Sequence, residues 1–216
     1  MKCILFDLDG TIIDSSEGVT KSVIYAFDRL GINRPPKDQW LEFIGPPLHV
    51  SFPAHGIPKD QVQSAIHLYK ERYDTLGKNE CRPYNGIIQL LDRLSSTGHT
   101  LCVATSKPEE VSHEILTKLN MSRFFVKIVG ATEDESRSDK DAVLRYLLSV
   151  LSYSDRNDAV LVGDTIYDVK GASRVGLPCI GVTWGFGKAE DLMQAGACAK
   201  ADTMKELYSL CSARFP

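Results

Sequence analysis

Phe6-Asp7-Leu8-Asp9-Gly10-Thr11 puts two carboxylates two residues apart at the end of a short apolar run. In extended chain, residues i and i+2 share a side, so Asp7 and Asp9 face one place. Carboxylates that close repel each other unless a proton or a cation intervenes, and a divalent metal meets that need. Gly10 lets backbone amides approach an anion closely. An Asx turn, in which the aspartates cap a strand-to-helix connection, uses the same residue types. The pair alone leaves both readings open.

Further along, Val162-Gly163-Asp164-Thr165 ends another apolar run, and Asp168 follows. Oxygen ligands at two strand ends suit magnesium, which keeps waters and takes a substrate phosphate to complete its octahedron. Asp168 equally suits the first turn of a helix, where the dipole favours an acid. Ala104-Thr105-Ser106-Lys107 closes a third run, and hydroxyls there can donate to phosphate oxygens, although Ser and Thr are also common helix caps. Lys140 is more informative. Ser138 and Asp141 have capping-box spacing, which predicts Lys140 in the first turn of a helix, at the dipole's unfavourable end for a cation. Reaching an anionic phosphate explains that placement, and neutralisation by Asp139 and Asp141 is the other explanation. Lys107 competes with Lys140 for the same cationic role.

These groups need elements to hold them. Apolar runs at 3–6, 101–104, 125–129, 159–162 and, more weakly, 178–182 read as buried strands, near-continuous as when helices cover both faces of a sheet. Helical periodicity at 86–94, 109–119, 141–151 and 167–174 alternates with them. That order predicts a doubly wound, parallel, Rossmann-like α/β sheet. After the first strand a long helical stretch intervenes. Residues 16–30 carry Val19, Val23, Ala26, Phe27 and Leu30 before Gly31 as a stop, and residues 59–73 carry Val62, Ile66, Tyr69 and Tyr73, a stripe read as packing. The expected organisation is a discontinuous core, 1–14 and 83–216, with a small helical cap domain at 15–82.

DLDGT, a strand-end Thr, a Lys opening a helix and GDxxxD, in that order, resemble the haloacid dehalogenase superfamily over essentially the whole chain. The insert resembles the helical cap of its phosphoglycolate phosphatase-like and 5'-nucleotidase-like subgroup, as do the segments 43–48 and 132–140. The resemblance implies a magnesium-dependent phosphatase. In it Asp7 attacks phosphorus and forms an aspartyl-phosphate, and Asp9 protonates the leaving oxygen, then deprotonates water. Thr105 and Ser106 bind phosphoryl oxygens, and Lys140 neutralises them. The implied metal set is Asp7, Asp9 through its main-chain carbonyl, Asp164 and Asp168, the last through waters or through Lys140. In many relatives a proline follows the lysine; here Asp141 does. An acid at position 9 suits an oxygen leaving group, which needs a proton, rather than a halide. A phosphomutase shares these core residues. A phospho-accepting regulatory domain also combines Asp, Thr, Lys and magnesium, but carries its acceptor on a later strand.

The 216 residues, 43% hydrophobic and 25% charged, are ordinary for a globular protein able to bury its own core. A net charge of −3 without any Lys/Arg run gives no reason to expect a nucleic-acid polymer as partner. The six cysteines lack Cys-x-x-Cys spacing, and His49, His55, His67, His99 and His113 lack ligand spacing, so neither disulfides nor zinc are expected. No run reaches the roughly 18 apolar residues of a membrane span. The expected setting is cytoplasmic, the substrate a small phosphorylated metabolite, and the state a monomer or weak homodimer. Selectivity is expected from the insert, where Gly45-Pro46-Pro47-Leu48 breaks between helical segments.

Overall fold

The computed structural model describes residues 3–134, 136–151 and 158–213, so Glu135, inside the lysine-bearing segment, lies outside the described residues. The chain divides into two compact units, residues 1–13 with 83–216 and residues 14–82.

The larger unit is built on β1 (Cys3–Phe6), β4 (Thr100–Pro108), β5 (Lys127–Ala131), β6 (Ala159–Gly163), β7 (Cys179–Val182) and β8 (Ala199–Ala201), in the order β5-β4-β1-β6-β7-β8. Every pairing is parallel. The two-residue strands β2 (Ile13–Asp14) and β3 (Arg82–Pro83) pair separately, where the chain passes between the units. β1 shows why the apolar runs are unbroken. Cys3 and Leu5 point to the face covered by Val143, Leu144 and Leu147 of α6 (Lys140–Val150), Val169 and Ala172 of α7 (Ile166–Arg174), and Leu192 of α8 (Ala189–Gln194). Ile4 and Phe6 point the other way and are equally buried. Helices α4 (Ile87–Ser96), α5 (Glu109–Lys118) and α9 (Met204–Ser212) complete the unit. The chain visits β4 and β5 on one side of β1, then crosses to β6, β7 and β8 on the other. That reversal beside β1 is where open α/β sheets bind ligands, at the carboxyl ends of the strands.

Three local expectations change. β8 is an additional edge strand, Ala-Lys-Ala, too short and too polar to show as an apolar run. β4 does not end at Ala104. Ala104 pairs with Val129 and Pro108 with Ala131, so four steps along β4 match two along β5, and residues 105–107 form a bulge. Bulges re-aim side chains beside sites. Helix α6 is capped by Asp139 rather than Ser138: Asp139 is extended (φ −87°, ψ 152°) and its carbonyl accepts from Val143 N–H at 3.1 Å. Lys140 is therefore the first helical residue.

The smaller unit packs α1 (Ser16–Leu30), a 3-10 segment at Lys37–Phe43, α2 (Leu48–Ala54) and α3 (Val62–Tyr73). Gly31 stops α1 at φ 67°. Phe27, Phe43 and Phe52 meet with ring centroids 5.6–6.2 Å apart, and Tyr69 stacks on Tyr73, both buried, so the aromatic stripe is packing. Arg72 donates to both oxygens of Glu80 at 2.8 and 3.0 Å, and Lys21 joins at 2.9 Å. The Arg72 guanidinium holds the Glu80 carboxyl below its usual range. Its depressed pKa means stability that is present above the unfolded value, about 4.3, and lost as pH falls through the folded one. Glu80→Gln should therefore cost about 1 kcal/mol at pH 7, with the difference closing below about pH 4. Urea unfolding at both pH values reads this; a pH-independent difference would deny the ion pair its part.

Candidate active site

Four segments of the larger unit deliver the site. Asp7 follows β1 and still belongs to its ladder, its N–H donating to Val162 O at 2.9 Å. The chain then turns tightly, with Gly10 at φ 82° donating to Ile13 O at 2.8 Å and Leu8, Ile12 and Ile13 buried as anchors. Asp164 and Thr165 follow β6, Asp168 sits in the first turn of α7, and Lys140 opens α6. The β4 bulge carries Thr105, Ser106 and Lys107.

Lys140 is the centre of the arrangement. Its Nζ donates to Asp7 Oδ1 at 2.7 Å and to Ala104 O at 2.9 Å and is ion-paired with Asp168 Oδ1 at 2.8 Å, with the residue only 6% exposed. The two competing lysines turn out to serve different acids: Lys107 Nζ sits 3.0 and 3.1 Å from the two oxygens of Asp9. The other oxygen of Asp168 accepts from Thr165 N–H at 3.0 Å and from Thr165 Oγ1 at 2.8 Å. Asp164 accepts from Thr11 Oγ1 at 3.1 Å and from Phe186 N–H at 2.8 Å. Thr105 is buried and its hydroxyl accepts from Lys107 N–H at 3.2 Å; Ser106, beside it in the bulge, is half-buried.

Charge does not balance here. Asp7, Asp164 and Asp168 are all buried, with carboxylate oxygens within 4.8 Å of one another. Burial pushes Asp7 up to about 6; Lys140 works against this and Asp168 with it. Burial, then Asp168 and Asp7, push Asp164 well above the carboxylate range. Burial alone would discharge Lys140, but Asp168 and Asp7 outweigh it and raise its pKa. With Asp9 and Lys107 included, four carboxylates face two ammonium groups, a deficit that one divalent cation fills. The donors are all hard oxygens, so the residues present fit magnesium.

Trp184 and Phe186 have no counterpart among the residues given a role from the sequence, and Thr11 stands there only as the last residue of DLDGT. Gly185-Phe186-Gly187 reads in the sequence as a turn, and nothing there singles out Trp184.

The haloacid dehalogenase-like hydrolase family model matches residues 4–182. A 5'-nucleotidase of Pseudomonas aeruginosa is 41% identical over 190 residues, covering 88% of this chain and 86% of that protein. The tyrosine-protein kinase PtkA of Mycobacterium tuberculosis is 34% identical over 206 residues, covering 94% of this chain and 70% of that one. Among solved structures, a predicted phosphatase from Clostridium acetobutylicum superposes with a TM-score of 0.92 at 39% identity, covering 97% of each chain. The chain belongs to the haloacid dehalogenase-like hydrolases, as one of their phosphatases. Among the described residues no helix is long and apolar enough to cross a membrane.

Proposed function

We propose that the enzyme is a magnesium-dependent phosphatase that hydrolyses small phosphate monoesters in the cytoplasm through an aspartyl-phosphate on Asp7. The observation that carries this reading is Lys140, buried and shared between Asp7 and Asp168 beside a third buried carboxylate, Asp164. Asp7 and Asp164, with the main-chain carbonyl of Asp9, would hold the ion. Asp168 serves by fixing Lys140 and the Thr165 turn. Bound magnesium supplies positive charge for the phosphoryl oxygens.

In the first step an Asp7 carboxylate oxygen attacks phosphorus in line, the ester P–O bond breaks, and Asp9 gives its proton to the departing oxygen. In the second, water attacks the phosphoryl group, Asp9 takes its proton, and the Asp7–phosphate bond breaks. Lys140 stays on Asp7 throughout, while Thr105 and Ser106 hold equatorial oxygens. Such transfer depends on an in-line nucleophile and on positive charge around those oxygens. The core sees only the phosphoryl group. Selectivity among esters, whether nucleotide-like or phosphoglycolate-like, we assign to the smaller unit as a cap, with Leu48 and His49 at the start of α2.

Phosphate release from a panel of monoesters, including sugar phosphates, should be abolished by chelator and restored by magnesium, poorly by calcium. Undiminished release in excess chelator would remove the metal from the reading. Sugar phosphates that isomerise without releasing phosphate would make the enzyme a mutase.

A further inference from the structure

The carboxylate of Asp164 is enclosed by a segment from elsewhere in the chain. After β7, residues 183–187 fold back over the end of β6, and Phe186 N–H reaches Asp164 Oδ2 at 2.8 Å. A Cβ on Gly185 would stand 2.3 Å from that oxygen, and one on Gly187 would stand 2.0 Å from the main-chain oxygen of Asp164. Gly10 closes from the other loop, where a Cβ would meet the same carboxylate oxygen at 2.1 Å. Trp184 Nε1 donates to Thr11 O at 3.2 Å, so the segment that grips one oxygen of Asp164 also fixes the residue that donates to the other. Backbone thus approaches the carboxylate from two loops, closer than any side chain would permit, and each of its oxygens has a fixed donor.

Burying a carboxylate in this way costs several kcal/mol and would be poor design for packing alone. It is suited to a ligand whose direction must be set before the ion arrives, since partners behind a ligand orient it and tune its affinity. We propose that residues 184–187 are positioning residues for the divalent cation, presetting Asp164 so that affinity for the ion depends on them. This rests on the metal reading of the site and names a part of it contributed from beyond the four motifs.

Calorimetric titration of the purified full chain with magnesium chloride, without substrate, tests it. Trp184→Phe keeps the aromatic packing but removes the donor to Thr11, and Gly187→Ala forces the loop off Asp164. Each should weaken magnesium binding roughly tenfold, and the magnesium-induced rise in melting temperature should shrink with it. Should Gly187→Ala fail to fold, Trp184→Phe decides the matter. Variants that melt lower but bind magnesium as tightly as the unaltered protein would overturn the proposal, because the segment would then serve stability alone. An unaltered protein that takes up no magnesium would overturn the metal reading itself, and this proposal with it.

Discussion

Asp7→Asn should lower turnover by more than about 1,000-fold, about 4 kcal/mol of barrier, while the protein stays folded. The amide has no charge with which to attack phosphorus. Its cost to the fold is small because Lys140 keeps Asp168 and the Ala104 carbonyl as partners. Removing Asp7 also withdraws one acid from a cluster whose burial already pushes Asp7 up to about 6. Single-turnover assays with the unaltered enzyme should trap phosphate on the protein, and the variant should trap none. Retention of more than a few per cent of the rate in a verified preparation would move the nucleophile elsewhere.

Lys140→Met should be the change most damaging to stability, and it should slow the reaction as well. It strands Asp7 and Asp168 in a buried site, and breaking a buried pair from one side costs about 3–5 kcal/mol. Losing positive charge at the phosphoryl oxygens should lower kcat at least about a hundredfold. The stability loss depends on pH with a definite sign. An acid whose folded pKa is raised contributes stability below its unfolded value and loses it as pH rises through the folded one. Without Lys140, Asp7 rises further, so the deficit should be largest at pH 7 and smaller near pH 5. Denaturant curves at the two pH values check this. Unaltered stability at pH 7 with kcat within about threefold would return the cationic role to Lys107.

The parts of this site legible in sequence are those where one short segment carries both the chemistry and the element that aims it. Asp7 follows from the end of one buried strand and Asp164 from the end of a second, whereas Asp9 lies in the turn beyond β1 and meets Lys107 instead of joining the cluster of Asp7, Asp164 and Asp168. What sequence cannot show is which distant groups converge. Lys107 and Lys140 look like rivals along the chain, and only the sheet order sends one to Asp9 and the other to Asp7. The bulge at 105–107 depends on how β4 registers against β5, which periodicity within β4 does not encode. Gly185-Phe186-Gly187 reads as a turn because its meaning lies in a carboxylate 22 positions before Phe186. The edge strand β8 is hidden by Lys200 at its centre.

The sheet order also bears on how the protein is made. β1 sits between β4 and β6, and its Cys3 pairs with Thr100 on one side and Ala159 on the other. During synthesis at about 5–20 residues per second, the four apolar residues of β1 leave the ribosome about 5–20 seconds before their first neighbour and longer before their second. Residues 14–82, a compact unit with its own aromatic core, are finished in that interval. Nascent chains stalled before Thr100 should therefore hold a folded helical unit preceded by an unpaired, aggregation-prone strand. Holdase demand should then fall in two steps as β4 and then β6 emerge.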